Sequence, residues 1–356
     1  MDTDIDSQRT PSLPATWPPR DIDIDSRRLS CLPPNGIKPV DEYSAYRVRV
    51  CRTEDKKSLI IYPSLYRPRN DPFYEDPDGS CHAWQNQEDS MDQIEWLKKI
   101  HEVIGSSEPT THPRVQRLVE IQTEDGLPVV EFVEKGALSD FLRANPKPVV
   151  PSGKGSENLL TLNIFKKYRG LTTGRLRWAL NIASALAFLH TKNIIFEGLS
   201  PDNINLRPDL SAALVNLDVA GYREQSGSDG TADGYGSPDW HGSPLSDEPE
   251  TWIKPSQDIY AFGSLLYYLW MEDEPWAEEY NLMDDLEEND LDEIIRKCWV
   301  NEFGSMDEVV EAVKKLVAQE GLEMSGEDDI AVGASVEQFE AAGCFAERCR
   351  IEDANK

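Results

Sequence analysis

The chain has 356 residues, enough for one domain of ordinary size with additional tails. It carries 65 acidic against 36 basic residues, a formal net charge of −29, which argues against nucleic acid and anionic membrane as partners because phosphate binding needs clustered Lys and Arg. The six cysteines form no Cys-x-x-Cys pair, which argues against a zinc site or a disulfide framework and indicates a reducing compartment.

Both ends of the chain have the composition of disordered tails. Residues 1–35 repeat Asp-Ile-Asp and are rich in Pro and Ser, and residues 319–356 are acidic and contain glycine. The N-terminus lacks the basic start and apolar core of a signal peptide, and the longest apolar run, around residues 259–270, is too short to span a bilayer. We therefore expect an intracellular protein, cytoplasmic or nuclear, without a membrane partner.

The part between residue 36 and about residue 133 predicts a small antiparallel sheet with one helix. Period-two alternation and short apolar runs predict strands at residues 46–50, 59–61, 118–121 and 129–133. Residues 67–88 are rich in turn formers and predict a long loop. Ser90 and Gln93 then fit a capping box, which predicts a helix from there through Ile104.

The part that follows predicts mainly helices. Apolar residues spaced three and four apart predict a long helix from Leu176, which leads into a tight loop at residues 201–203 and two short strands. Residues 144–170, with five basic residues against one acid, predict an inserted loop that either docks an acidic partner or is simply solvated. The run from Asp258 is apolar on all sides, as in a buried helix, and Ser305 with Glu308 predicts a cap for a final helix to Ala318.

In this order, the residues resemble a eukaryotic protein kinase. The kinase loop His-Arg-Asp-Leu-x-x-x-Asn is matched by residues 196–203, and the Asp-Phe-Gly triplet is matched by residues 218–220. Further matches lie at the His-Pro turn 112–115, the hinge and D-helix 129–142, the activation segment 218–244, the F-helix from residue 258 and the Cys-Trp pair 298–299. The resemblance covers about residues 36–318 and implies an α+β, two-lobed kinase-like fold. Its N-lobe spans about 36–133 and its C-lobe about 134–318, with the insertion at 144–170.

The catalytic loop departs from the kinase pattern, since it reads Phe196, Glu197 and Gly198 where a kinase has His-Arg-Asp. The resemblance therefore assigns no catalytic residue, because Gly198 stands at the position of the aspartate that orients the substrate hydroxyl. No Gly-x-Gly-x-x-Gly loop is present, and the strand lysine falls on Tyr62. Glu95 is the match to the C-helix glutamate, but with Tyr62 opposite we expect it to be an ordinary surface residue.

Several positions that hold nucleotide and metal in kinases keep suitable groups. If ATP binds, the resemblance places adenine at the backbone of Glu131 and Val133, with Val130 guarding the back pocket. It places Mg²⁺ at Asn203 and Asp218. Two alternatives stay open: the hinge is packed closed by side chains, and the Asn and the Asp serve turns.

Glu197 stands where many kinases have the arginine that pairs with a phosphate on the activation segment. A carboxylate repels such a phosphate. We therefore predict that phosphorylation at Ser226, Ser228, Thr231 or Ser237 gives no activation through this pocket.

These departures favour a catalytically impaired pseudokinase that acts on protein partners as a scaffold or regulator. The alternatives are a divergent ATP-dependent protein serine/threonine kinase, a small-molecule phosphotransferase and a product without a selected function. Gly198 argues against both enzymes, because both rely on a loop aspartate. Residues 236–238 favour the protein-kinase branch over the small-molecule enzymes.

Overall fold

The structure is a computed structural model that describes residues 48–53, 57–63, 79–123, 126–145, 159–222, 254–271 and 286–331. Within these ranges the chain forms an antiparallel sheet with one long helix, followed by a mainly helical part, which confirms the predicted α+β, two-lobed kinase-like fold. The predicted N-terminal tail, the activation segment beyond Tyr222 with its four hydroxyl residues, and the tail beyond Ala331 lie outside the described residues.

The N-terminal lobe contains the four predicted strands. They are β1 (Val48–Arg52), β2 (Ser58–Pro63), β3 (Leu118–Ile121) and β4 (Pro128–Glu131). All neighbours pair antiparallel in the order β1-β2-β4-β3. Helix α1 (Gly79–Gly105) packs on the sheet through fully buried Ile94, Leu97 and Ile100.

The start of α1 differs from the prediction. The helix begins eleven residues before Ser90, so part of the predicted loop 67–88 is helical, and the predicted capping box is wrong because buried Ser90 lies inside the helix. Between Gly79 and Ser90 the sequence has no further glycine and no proline, so nothing interrupts the helical backbone.

In the described part of the C-terminal lobe there are five α-helices and two short strand pairs. The helices are α2 (Leu138–Ala144), α3 (Leu159–Thr191), α4 (Pro255–Met271), α5 (Asp290–Trp299) and α6 (Met306–Gln319). The strands are β5 (Ile194–Ile195), β6 (Ile204–Leu206), β7 (Ala212–Leu214) and β8 (Gly221–Tyr222), paired β5 with β8 and β6 with β7. Helix α3 begins well inside the predicted insertion 144–170, since no proline follows Pro151 there.

Helix α4 is buried on nearly all sides, as its uniformly apolar sequence predicts. Ala261, Phe262 and Leu265 have no exposed surface. Gly263 marks the crossing with α5, where an added Cβ would lie 2.6 Å from the Cβ of Cys298 and 3.1 Å from the Trp299 ring. The glycine therefore lets the two helices approach closely.

The end of the described chain is packed rather than free. Ser305 caps α6 as predicted, with Oγ accepting a hydrogen bond from the Glu308 backbone N–H at 3.3 Å. Beyond α6, residues 320–331 lie in the segment predicted to be a mostly disordered tail, yet Ile330 is buried and the Asp329 carboxylate pairs with the guanidinium groups of Arg114 and Arg177. Among the helices of the described ranges, none combines the length and the apolar character needed to cross a membrane.

Candidate functional site

The loop that matches the kinase catalytic loop is anchored to helix α4. Asp258, with no exposed surface, accepts hydrogen bonds from the backbone N–H groups of Phe196 at 2.8 Å and Glu197 at 3.0 Å. Its Oδ2 also lies 2.8 Å from Nε2 of His190. Asp258, at the start of α4, thus holds the backbone at the beginning of this loop.

Glu197 occupies a strained and buried position in this loop. Its φ is +53°, in the left-handed region that non-glycine residues rarely adopt. Burial raises the pKa of its carboxyl to about 7, and the nearby charge of Asp258 acts in the same direction. The side chain at the position of the kinase arginine is thus an acid that ionises with difficulty.

Gly198 has no space beside it for a side chain. An added Cβ would lie 2.3 Å from Cγ2 of Val219 and 3.2 Å from Nδ2 of Asn203. The Gly198 carbonyl accepts a hydrogen bond from the same Asn203 amide at 2.8 Å. Val219, a neighbour of Asp218 in the chain, therefore fills the space that a side chain at residue 198 would occupy.

The two candidate metal ligands, Asn203 and Asp218, both face side-chain amides. Asn203 Oδ1 accepts a hydrogen bond from Nδ2 of Asn216 at 2.8 Å, and Asp218 Oδ2 accepts one from Nε2 of Gln93 at 2.7 Å. Asp218 is buried, which raises its pKa to about 6. The structure thus places Asn203 at Gly198 and Asp218 next to Val219, which contacts Gly198, and it engages both predicted residues within the protein.

Among the described side chains of α1, Gln93 rather than Glu95 reaches Asp218. Glu95 is exposed and pairs with Lys98 at 2.7 Å, as expected for a surface glutamate. The sequence analysis missed Gln93, although helical periodicity could have identified it, because Gln93 lies four residues before buried Leu97 and seven before buried Ile100. Trp96 adds a second tie between α1 and this region, since its Nε1–H donates to the Ala220 carbonyl at 2.6 Å.

Tyr62 lies on β2 and is buried in the main hydrophobic core. Its backbone pairs with Arg49 of β1. The strand assignment is confirmed, whereas the match of Tyr62 to the kinase lysine stays a prediction.

The hinge residues are engaged by the protein itself. Val130 and Val133 are buried, and Val133 packs with Ala213 and Val215. The Glu131 carbonyl accepts a hydrogen bond from Nε2 of Gln116 at 2.8 Å. The Glu131 backbone N–H donates to the Arg117 carbonyl at 2.8 Å, and its carboxylate pairs with Arg207.

ATP with Mg²⁺, the cofactor that the resemblance implies, fits these residues poorly. The Asn203 amide oxygen, one Asp218 oxygen and the Glu131 carbonyl already accept hydrogen bonds from side-chain amides. Within the described ranges, no group of three or more His, Cys, Asp or Glu side chains could hold a metal ion.

Comparison with known proteins gives the same family as the motifs. The family model of protein tyrosine and serine/threonine kinases matches residues 85–312. U-box domain-containing protein 70 of Oryza sativa subsp. japonica is 25% identical over 211 residues, 57% of this chain and 24% of the relative. Leucine-rich repeat serine/threonine-protein kinase 1 of Mus musculus is 26% identical over 184 residues, 51% of this chain and 8% of the relative. Each match thus covers less than a quarter of the relative's length.

Proposed function

Because the chain belongs to the protein tyrosine and serine/threonine kinase family, we propose that it is a pseudokinase that binds protein partners as a scaffold or regulator. The observation that carries the proposal is Gly198. Phosphoryl transfer in this family uses a loop carboxylate that accepts the proton of the substrate hydroxyl. Gly198 has no such group, and Val219 fills the space that a side chain would need.

Neighbouring carboxylates do not supply the missing base. Asp202 is exposed, but its Oδ1 accepts a hydrogen bond from the Ser139 hydroxyl, which holds it toward α2. Glu197 is buried beside Asp258. A general base must lie within hydrogen-bond reach of the substrate proton; Asp202 is held by Ser139, and Glu197 is buried.

The engaged nucleotide-binding positions support the same function. A kinase domain can bind ATP, but here the Glu131 carbonyl and Oδ2 of Asp218 already accept hydrogen bonds from the side-chain amides of Gln116 and Gln93, which leaves them fewer free acceptor sites for new partners. A protein that keeps the kinase fold but does not transfer phosphate acts through what its surface binds. We therefore place protein partners, rather than substrates, at the centre of the proposed function.

The test is a phosphotransfer assay on the full chain with ATP and either Mg²⁺ or Mn²⁺, together with a thermal-shift titration by ATP. We expect no transfer and no metal-dependent rise in Tm at millimolar ATP, since a ligand that binds only the folded state must raise Tm. Phosphate transfer that Asp218→Ala abolishes would overturn the proposal.

The alternative function is a divergent ATP-dependent protein serine/threonine kinase. It is favoured by one observation, that Asn203, which donates a hydrogen bond to the Gly198 carbonyl, and Asp218, which precedes Val219 at Gly198, are both retained. This alternative predicts a metal-dependent rise in Tm that Asp218→Ala removes, whereas a pseudokinase without a nucleotide site shows none.

A further inference from the structure

A short acidic segment after α6 folds back onto the rest of the described chain. Residues 323–331, called the strap below, close on themselves through an antiparallel bridge between Met324 and Ile330. The family match ends at residue 312, so the strap lies outside the part that the kinase model describes. Within the strap Ile330 alone is buried, and little apolar burial therefore holds the strap in place.

The strap places two carboxylates between two buried arginines, Arg114 and Arg177, which together form the arginine cleft. Arg114 comes from the turn before β3, and Arg177 comes from α3. Arg114 Nε lies 3.0 Å from Oδ2 of Asp328, and its Nη2 lies 2.8 Å from Oδ2 of Asp329. Arg177 Nε and Nη2 donate to the two oxygens of Asp329 at 2.6 and 2.9 Å. Charge-assisted hydrogen bonds in this forked geometry are the means by which arginine recognises carboxylates.

An open groove adjoins the arginine cleft and contains a further arginine. Its volume is about 590 Å³, and both Arg114 and Arg117 line it. The acids of the groove, Glu131 and Asp209, already pair with Arg207 and with the α3 arginine of the cleft. Arg117 is exposed and forms no hydrogen bond or ion pair with a described residue. An acidic segment longer than the strap can therefore gain a contact that the strap does not make.

We propose that the arginine cleft binds an acidic segment of a protein partner, and that the strap occupies the cleft in the free protein as an autoinhibitory contact. This inference rests on the proposed function, because it gives the chemistry of one partner. The strap is the template for the ligand, since its adjacent aspartates satisfy both cleft arginines. Clusters of arginine side chains are a recurrent means of binding acidic peptide motifs. An emptied cleft leaves buried guanidinium groups short of carboxylates, so the partner has to replace the strap by exchange.

The first test is hydrogen exchange of the unaltered full chain with a peptide probe. The probe has the sequence of residues 322–331 with three glutamates added at each end, and the control peptide carries Asp328→Asn/Asp329→Asn. The backbone N–H groups of Ser325 and Ala331 bond to carbonyls within the strap, and a short loop released from the protein does not keep such bonds. We expect these two amides to exchange roughly tenfold faster with millimolar probe than with the control.

Two results of this test would overturn the proposal. One is equal exchange of the strap amides with the probe and with the control peptide. The other is strap protection that rises with protein concentration, because a second copy of the chain would then supply the strap. Unaltered exchange in α3 reports that the protein stays folded throughout.

The second test releases the strap by substitution in the full chain. In Asp328→Asn/Asp329→Asn the strap loses both charges, so the cleft is open in more molecules and the probe should bind roughly tenfold more tightly than to the wild type in calorimetry. The matched control Asp290→Asn/Asp307→Asn removes two exposed carboxylates from α5 and α6 and should leave the affinity unchanged. Equal affinity for the wild type and the strap variant would overturn the proposal. If the strap variant does not fold, the first test decides, since it needs no substitution in the protein.

A third measurement separates the partner site from the strap. Arg117→Gln should weaken probe binding about threefold, the size of one exposed ion pair. It should leave exchange of the strap amides unchanged, because the strap does not bond Arg117. Unchanged probe affinity would overturn the assignment of Arg117 to the site. Neither exchange nor peptide affinity measures phosphate transfer, so a probe that fails to bind overturns the acidic partner and leaves the proposed function to its own assay.

Discussion

Two regions of the candidate site differ in what they depend on: the backbone at Phe196 and Glu197, and the side chains around Gly198 and Asp218. In the first region, Asp258 binds the backbone N–H groups of Phe196 and Glu197, which every residue except proline carries. In the second region, around Gly198 and Asp218, the chemistry of the family depends on particular side chains. A loop held by backbone hydrogen bonds keeps its position when its side chains change, whereas a reaction that needs particular side chains is lost when they change.

The largest effect should come from removing the anchor. Asp258→Ala leaves two buried backbone N–H groups and His190 without their acceptor, so we expect the free energy of unfolding to fall by about 3–5 kcal/mol. Urea denaturation measures the change. The control Asp140→Ala removes an exposed carboxylate that pairs with Arg143 and should cost less than about 0.5 kcal/mol. A loss below about 1 kcal/mol for Asp258→Ala would show that the anchor does not hold the loop.

The pH dependence of stability should isolate Glu197. Its pKa is about 7 in the folded protein against an ordinary value of 4.5, so the folded protein binds the proton more tightly than the unfolded chain. Stability from this group is complete below pH ~4.5 and is lost as the pH rises toward ~7. Glu197→Gln should therefore match the wild type near pH 4 and exceed it by on the order of 3 kcal/mol above pH 7.5. Parallel curves for the two proteins would contradict this expectation.

A methyl group added at Gly198 tests how closely Val219 packs against the loop. Gly198→Ala places a methyl group against Val219, and we expect a loss of about 1–3 kcal/mol in the free energy of unfolding. Val219→Ala should recover part of that loss in the double variant, which a double-mutant cycle detects as a coupling of about 1 kcal/mol. Additive losses would mean that Val219 does not occupy the site.

The sequence predicted the framework better than the contacts within it. The strands, α4 and the Ser305 cap follow from local periodicity and capping, which the residues themselves encode. The start of α1 was not predictable from Ser90, because a Ser-x-x-Gln sequence inside a helix is identical to the one that caps a helix N-terminus. The packing of Val219 on Gly198 and the bonds of Gln93 and Gln116 depend on tertiary approach, which spacing along the chain does not report.

The smallest expected effect concerns Gln93, which decides how firmly Asp218 is held. Gln93→Leu removes the hydrogen bond to Asp218, but it also removes a buried Oε1 that has no partner, so the two changes partly offset. We expect a net loss of about 1 kcal/mol in the free energy of unfolding. The pKa of Asp218 should also rise above about 6, because the lost donor favoured the charged form. NMR titration of the Asp218 carboxyl measures this shift. An unchanged or lowered pKa would contradict this expectation, because it would show that the hydrogen bond from Gln93 does not stabilise the ionised form of Asp218.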